Sequence, residues 1–142
     1  MNSNLQDLKK KYKEKNLITF GLTIKQTLKG NVWKKDLILP KGWINFKLDN
    51  ELNRNHNALG MLTGKVNGIF VVDIDNVEEW NALLKDTKNK EPKTIKVISG
   101  SGGLHYYFKY TENLKTITSK DHAIKFNDKA LSIDVKTNGG FI

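Results

Sequence analysis

The chain of 142 residues contains no cysteine, and this absence removes several classes of chemistry at once. Disulfide frameworks, zinc–thiolate sites and thiol nucleophiles are all excluded, together with the cysteine-stapled architecture of small secreted proteins. No apolar run reaches the roughly 20 residues of a membrane-spanning helix, and the amino terminus lacks the apolar core of a signal peptide. We therefore expect an intracellular, cytoplasmic protein with no membrane partner.

Arginine is almost as scarce, since Arg54 is the single arginine and lysine supplies all the other basic residues. The formal net charge of +9 favours a polyanionic partner such as nucleic acid. AT-rich coding enriches lysine and asparagine by itself, so a solvated lysine-rich surface is the alternative. A hydrophobic fraction of 38% with 9% aromatics suits one globular domain spanning residues 1–142.

Patterns in the first half predict a helix followed by strands. Ser3 is a candidate cap for a helix over residues 3–15, whose lysines form a basic face outside an apolar stripe. Residues 17–24 predict a strand, and residues 34–43 predict a loop that contains a proline–glycine turn. Residues 57–64, with two glycines around an apolar run, predict a strand and a tight turn.

An apolar run that ends in two carboxylates is the most informative segment. Residues 68–75 predict a buried strand, and Asp73 and Asp75 share one face of it because side chains alternate along a strand. Their Cα atoms would lie roughly 6.6 Å apart, a span that carboxylates can close around an oxygen-seeking cation. Asn76 and Glu79 then match a capping box, so the strand passes directly into a helix.

The second half predicts two pairs of strands. Residues 94–99 and 104–110 are rich in β-branched and aromatic side chains and are joined by a glycine-rich turn over residues 100–103, which predicts a hairpin. A final pair, residues 122–126 and 131–136, is joined by a short polar turn.

Strand alternation gathers the polar residues of these elements into one candidate site. His105 lies on the face opposite the apolar stripe of its strand, and Asp134 and Lys136 share one face of the last strand. The carboxylates of Asp73, Asp75 and Asp134 suit magnesium or manganese, and the glycine-rich turn could approach phosphate oxygens. Each part also has a structural explanation: capping aspartates, a half-buried histidine, a hairpin loop and a solvent-facing ion pair.

Residues 72–75, 101–108 and 133–136 resemble the three motifs of the archaeo-eukaryotic primase superfamily. The branch that they resemble most is the bifunctional primase-polymerase domain of plasmids, phages and large DNA viruses. The resemblance covers residues 17–142 and rests on the spacing of all three motifs.

The resemblance implies an α+β fold, with an RRM-like, mainly antiparallel sheet that carries the acidic site and a smaller N-terminal α/β unit. It implies that Asp73, Asp75 and Asp134 are catalytic and hold Mg²⁺ or Mn²⁺, and that His105 contacts the phosphates of the nucleotide. The remaining candidate nucleotide-binding residues are Ser101, Gly102, Gly103 and Lys136. Lys136 stands where this branch commonly has arginine, so the charge is kept and the bidentate fork is lost.

The implied activity is that of a DNA primase/polymerase, a nucleotidyl transferase that joins dNTPs or NTPs on a single-stranded DNA template with two divalent metals. A helicase domain in the same full-length protein is expected, as is a location in the host cytoplasm or at a replication site if the source is viral. The family usually continues past the Gly139–Gly140 pair, so we expect this chain to be a truncated part of a longer protein.

Two other functions fit the same residues. A metal-dependent nuclease or phosphotransferase would use three carboxylates and a histidine equally well. A non-catalytic module that binds single-stranded nucleic acid would use aromatic side chains as stacking surfaces, and the candidates are Tyr106, Tyr107, Phe108 and Trp43.

Overall fold

Helix α1 (Ser3–Glu14) opens the first of two units in the computed structural model, which describes residues 2–115 and 117–142. The first unit spans Met1–Leu62 and the second spans Thr63–Ile142. The cap of α1 is Asn2, whose side-chain oxygen accepts a hydrogen bond from the Asn4 N–H at 3.1 Å. The helix therefore begins one residue after its cap, at the residue that the sequence indicated as the cap itself.

A three-stranded antiparallel sheet completes the first unit, in the order β2-β1-β3. Its strands are β1 (Thr19–Lys29), β2 (Val32–Ile38) and β3 (Ala58–Met61), and a 3₁₀ turn (Trp43–Asn45) lies between β2 and β3. The predicted loop over residues 34–43 is wrong in its first half, because residues 34–38 belong to β2. Every residue of β2 is exposed, so no apolar alternation indicates this strand.

The second unit is built on a four-stranded antiparallel sheet in the order β5-β6-β4-β9. Its elements, in chain order, are β4 (Ile69–Ile74), α2 (Val77–Asp86), β5 (Ile95–Ile98), β6 (Leu104–Lys109), a 3₁₀ turn (Glu112–Leu114), β7 (Lys125–Phe126), β8 (Lys129–Ala130) and β9 (Ile133–Lys136). The first strand of the unit pairs with the third and the last, which is the strand order of an RRM-like sheet. The α+β class and the mainly antiparallel pairing are confirmed.

The core of this unit lies on one face of the sheet, against α2. Tyr106, Ile74 and Ile133 of the sheet are buried there with Trp80 of the helix, and the Trp80 Nε1–H donates to the Tyr106 hydroxyl at 3.3 Å. Burying an isoleucine side chain of this kind contributes about 1.5–3 kcal/mol. Because side chains alternate, fixing this face in the core fixes the intervening residues on the opposite face.

The strand-to-helix junction after β4 follows its prediction in part. Asn76 caps α2, since its side-chain oxygen accepts from the N–H groups of Glu78 and Glu79 at 3.1 and 3.2 Å. In a capping box the Glu79 side chain would also accept from the Asn76 N–H. The Glu79 carboxylate instead accepts from the Ser132 N–H at 2.9 Å and from Lys129 Nζ at 2.8 Å. Glu79 thus connects the first turn of α2 to the segment before β9.

The last predicted strand pair divides into shorter pieces. Strands β7 and β8 form a hairpin around Asn127 and Asp128, whose φ angles of 50° and 61° fit a two-residue type I′ turn. Strand β9 continues after β8 and pairs with β4.

Across the described residues, no helix has the length and apolar character needed to cross a membrane. The assignment of residues 1–142 to one catalytic domain of a longer protein stays a prediction.

Candidate active site

A row of four side chains crosses the sheet of the second unit. Asp73 on β4 is paired in register with His105 on β6 and with Asp134 on β9, and His105 is paired in turn with Val97 on β5. Residues paired in this way project from the same face. The face is the one opposite the core, so three of the predicted site residues lie side by side on it.

Asp73 and His105 interact directly. The distance from His105 Nε2 to Asp73 Oδ1 is 3.2 Å, and both side chains are largely buried, with exposed fractions of 21% and 17%. When the Asp73 carboxylate is ionised it only accepts hydrogen bonds, and Nε2–H is then the donor in this contact. The pair thus places a donor, and a positive charge when the imidazole is protonated, beside the central carboxylate of the row.

Asp75 is the first residue after the end of β4. Its N–H donates to the Ser132 carbonyl at 3.0 Å, which continues the pairing between β4 and the segment before β9. Its side chain is exposed, and its negative charge acts on the Asp73 carboxyl, whose pKa it helps to raise. Asp75 therefore extends the acidic surface toward solvent.

Asp134 is held on both of its oxygens. Oδ1 accepts from the His122 backbone N–H at 2.9 Å, and Oδ2 accepts from Lys136 Nζ at 3.2 Å. Lys136 also donates to Asp121 Oδ1 at 2.9 Å, so its ammonium group lies between two carboxylates. Burial alone would lower the pKa of Lys136, but the hydrogen bonds from Lys136 to Asp121 and Asp134 outweigh it and raise the pKa above its ordinary value.

The electrostatics of the row centre on Asp73. Burial raises the pKa of the Asp73 carboxyl, and the negative charges of Asp75 and Asp134 add to the increase, while His105 and Lys136 oppose it. The ionised form of Asp73 is thus disfavoured by its surroundings. A cation placed among the three carboxylates would relieve that repulsion.

The glycine-rich turn between β5 and β6 adjoins the end of β4. Ser99 and Gly102 form a tight turn, with the Gly102 N–H donating to the Ser99 carbonyl at 2.9 Å, and the hydroxyls of Ser99 and Ser101 are 3.1 Å apart. A Cβ on Gly103 would lie 2.6 Å from the Ile74 carbonyl oxygen, so only glycine allows this close approach. The turn is therefore held against the peptide that precedes Asp75.

The three carboxylates have the oxygen donors that Mg²⁺ and Mn²⁺ prefer. Across residues 2–115 and 117–142, however, no group of three or more histidine, aspartate or glutamate side chains converges closely enough to hold a metal ion. The contacts of Asp134 give a reason, because both of its oxygens are engaged with Lys136 and the His122 N–H. The donor type fits the metal, and the side chains as placed do not form a closed ligand set.

The structure adds two residues that the sequence patterns missed, Asp121 and His122. The sequence predicts a strand over residues 122–126, but β7 begins only at Lys125, and His122 has a left-handed φ of 48°. The prediction of that strand gave neither residue a role at the site. Among the candidate stacking residues, Tyr106 belongs to the core, and the ring of Trp43 stacks on Phe20 with centroids 5.4 Å apart.

Comparison with known proteins agrees with this arrangement. The model of the family described as "Bifunctional DNA primase/polymerase, N-terminal" matches residues 23–142, which include all of the candidate site. No curated protein and no solved structure matches the chain significantly. On the strength of the family match over most of its length, the chain belongs to the bifunctional DNA primase/polymerase N-terminal (Prim-Pol) family.

Proposed function

We propose that the second unit of this chain is the catalytic centre of a DNA primase/polymerase that joins nucleotides on a single-stranded DNA template. The observation that carries the proposal is the pairing of Asp73 with both His105 and Asp134 across three adjacent strands. Two carboxylates and an imidazole side by side on one face of the sheet suit the phosphoryl-transfer chemistry that the family implies.

In this proposal Asp73, Asp75 and Asp134 hold the divalent cations, Mg²⁺ or Mn²⁺. Bound there, the cations would polarise the attacking 3′-hydroxyl and neutralise charge on the leaving pyrophosphate. The surroundings of Asp73 support the assignment, because burial and two neighbouring carboxylates disfavour its ionised form. Asp134 would have to exchange its contact with Lys136 for the cation, which would free one N–H of the Lys136 ammonium group while the contact with Asp121 remains.

The remaining candidate residues bind the dNTP or NTP. His105 and Lys136 would donate to phosphate oxygens, and both lie on the face of the sheet that carries Asp73 and Asp134. Ser101, Gly102 and Gly103 would approach the phosphates through the tight turn beside Asp75. The Lys136 ammonium group is a compact charge and cannot make the two parallel hydrogen bonds of an arginine guanidinium. It would therefore orient the phosphate less strictly than an arginine.

Nucleotide incorporation by the full-length protein tests the proposal. Labelled dNTPs and NTPs would be supplied with primed and unprimed single-stranded templates, with Mg²⁺ or Mn²⁺, to the wild type, Asp73→Asn and Asp134→Asn. Asp86→Asn, at the exposed end of α2, is the matched control for the charge change. We expect loss of synthesis of about 100-fold or more in the first two variants and wild-type synthesis in the control.

Two outcomes would contradict the assignment. Metal-dependent synthesis that is equal in the wild type and Asp73→Asn would place the metal site elsewhere. Degradation of DNA with metal and no nucleotide, lost in Asp73→Asn, would favour the nuclease alternative, because hydrolysis needs no dNTP or NTP. A helicase domain in the full-length protein remains part of the proposal and is tested by its own DNA-unwinding assay.

A further inference from the structure

The sheet of the second unit has one covered edge and one open edge. Along β9, Lys120 forms a bridge with Val135, and the Ala123 N–H donates to the Ile133 carbonyl at 2.8 Å. Along β5, at the other edge, no described strand pairs on the side away from β6. Every residue of β5 is exposed, so this edge is accessible to a further strand.

The exposed side chains of β5 are mainly apolar. Ile95 and Ile98 are each 70% exposed, and Val97 is 43% exposed. Because Val97 is paired with His105, Val97 and Ile95 lie on the face of the candidate active site. Ile98 and Lys96 lie on the opposite face. Both faces of the strand therefore present apolar surface beside the open edge.

Charge gives this edge little protection against pairing. Residues 94–104 contain one charged side chain, Lys96, although 27% of the whole chain is charged. Lys96 Nζ donates to Glu91 Oε1 at 2.6 Å, so its charge is balanced within the same copy. Strand β2, at an edge of the first sheet, has three charged residues among its seven. A chain of net charge +9 would therefore meet little repulsion from a second copy at β5.

The hydrogen bonds of the hairpin decide which backbone groups of β5 are free. The Ser99 N–H donates to the Gly103 carbonyl at 2.9 Å, so these two residues form a hydrogen-bonded pair. Such pairs alternate along an antiparallel ladder, so the backbone groups of Val97 also face β6. The N–H and C=O groups of Lys96 and Ile98 therefore point away from β6, toward the open edge.

We infer that β5 pairs with β5 of a second copy of this chain, antiparallel and with Val97 on the two-fold axis. In this register Lys96 of each copy lies opposite Ile98 of the other, and their free backbone groups form four hydrogen bonds. The register with Lys96 opposite itself would form two hydrogen bonds and oppose two like charges, which disfavours it.

The pairing would join two four-stranded sheets into one. Because the axis is perpendicular to the sheet, the row of Asp134, Asp73, His105 and Val97 continues into the row of the second copy on the same face. The two Asp73 residues would lie five strand spacings apart, roughly 24 Å. The pairing itself needs neither metal nor nucleotide and does not rest on the proposed catalytic role of Asp73.

Sedimentation velocity of the 142-residue chain over a range of concentrations tests the inference. A short edge gives a small interface, so we expect a reversible dimer with a dissociation constant of about 10–100 µM. Val97→Lys opposes two lysines on the axis and should weaken the dimer at least about tenfold. The matched control is Val32→Lys on the β2 edge, where Val32 is 62% exposed, and it should stay within about twofold of the wild type.

Ile98→Pro tests the intermolecular hydrogen bonds. It removes an N–H that points away from β6, so the ladder within the copy is kept. Each copy loses one donor, and we expect the dissociation constant to rise at least about fivefold. Ile98→Val keeps the N–H and should stay within about twofold of the wild type. Thermal unfolding would verify that each variant is folded.

Single cysteines test the register, because the chain contains no other thiol. Residues on the axis form a non-hydrogen-bonded pair with Cα atoms about 4.5 Å apart, which suits a disulfide. With copper phenanthroline as the oxidant, Val97→Cys should form covalent dimers much faster than Ile95→Cys. The two Ile95 Cα atoms would be roughly 14 Å apart, although Ile95 lies on the same face and is more exposed.

Several results would overturn the inference. They are a monomer throughout the concentration range, a dimer that Val97→Lys leaves intact, and crosslinking of Ile95→Cys as fast as that of Val97→Cys. Dissociation by Val32→Lys alone would assign self-association to β2. Asp73→Asn should dimerise like the wild type, so failure of the catalytic proposal and failure of this inference are distinguishable.

Discussion

His105 Nε2 lies 3.2 Å from Asp73 Oδ1, across the central strand pair of the second unit. The contact joins a histidine that follows a glycine-rich turn to an aspartate that precedes a helix, so two segments distant in sequence are coupled at one point. Because Asp73 also faces Asp134, the same carboxylate receives a donor from one side and a negative charge from the other.

Replacing His105 should reduce nucleotide addition without unfolding the protein. His105→Ala removes the donor beside Asp73, and we expect the rate of incorporation to fall about 100-fold, the usual cost of one lost donor at a reacting centre. His105→Gln keeps a hydrogen-bond donor without the possible charge, so it should retain part of the activity. Single-turnover incorporation checks the rates, and full activity of His105→Ala would contradict a role for this side chain.

The stability of the site should depend more on Lys136 than on Asp121. Lys136→Met leaves the largely buried Asp134 carboxylate without its cation, and we expect a loss of about 1–3 kcal/mol in the free energy of unfolding. Asp121 is 75% exposed, so Asp121→Asn should cost about 0.5 kcal/mol or less.

A double variant separates the effect of charge on stability from that of packing at Lys136 and Asp134. Adding Asp134→Asn to Lys136→Met removes the uncompensated charge, so urea denaturation should show part of the lost stability restored. If Lys136→Met alone is as stable as the wild type, the carboxylate of Asp134 does not depend on Lys136.

Much of the site follows from alternation along single strands. Alternation places Asp73 with Asp75 and Asp134 with Lys136, and sets His105 apart from the apolar stripe that contains Tyr106. These relationships follow from the alternation of side chains along one strand, which can be read from a short stretch of sequence. The structure has Asp73, His105, Asp134 and Lys136 on one face of the sheet of the second unit, whereas Asp75 lies just beyond the end of β4.

The relationships between strands could not be predicted in the same way. The register that sets Asp73 opposite His105 depends on where two distant segments pair, and alternation does not contain that information. Asp121 and His122 reach the site from an irregular segment, although the sequence predicts a strand from residue 122, so alternation along a strand does not indicate their contacts. Strand β2 was missed because both of its faces are exposed, which removes the pattern that identifies strands.

Gly103 should be the least replaceable residue of the glycine-rich turn. Gly103→Ala would bring a Cβ to 2.6 Å from the Ile74 carbonyl oxygen, so β4 and the turn must separate, and we expect a loss of about 1–3 kcal/mol in stability. Gly100→Ala is the matched control, because nothing lies within 4 Å of its Cβ position. Its stability should lie within about 0.5 kcal/mol of the wild type in chemical denaturation. Equal effects of the two changes would contradict the close approach.

The contact of Glu79 with Lys129 and Ser132 should make stability depend on pH. The hydrogen bond from Lys129, and then that from the Ser132 N–H, hold the pKa of the Glu79 carboxyl below its ordinary value of 4.5. A carboxyl whose pKa is lower in the folded state stabilises the protein above its unfolded-state pKa, and this contribution is lost as the pH falls through the folded-state pKa. Glu79→Gln should therefore be less stable than the wild type at pH 7, and the difference should shrink as the pH falls below the ordinary value of 4.5.

Urea denaturation of both proteins between pH 7 and pH 3 measures this difference, and comparing them cancels the titration of every other group. Glu78→Gln makes the same charge change on the same turn of α2, away from the contact with Ser132. Its difference from the wild type should vary less with pH. If the difference for Glu79→Gln stays constant down to pH 3, the carboxylate of Glu79 is not what joins α2 to the segment before β9.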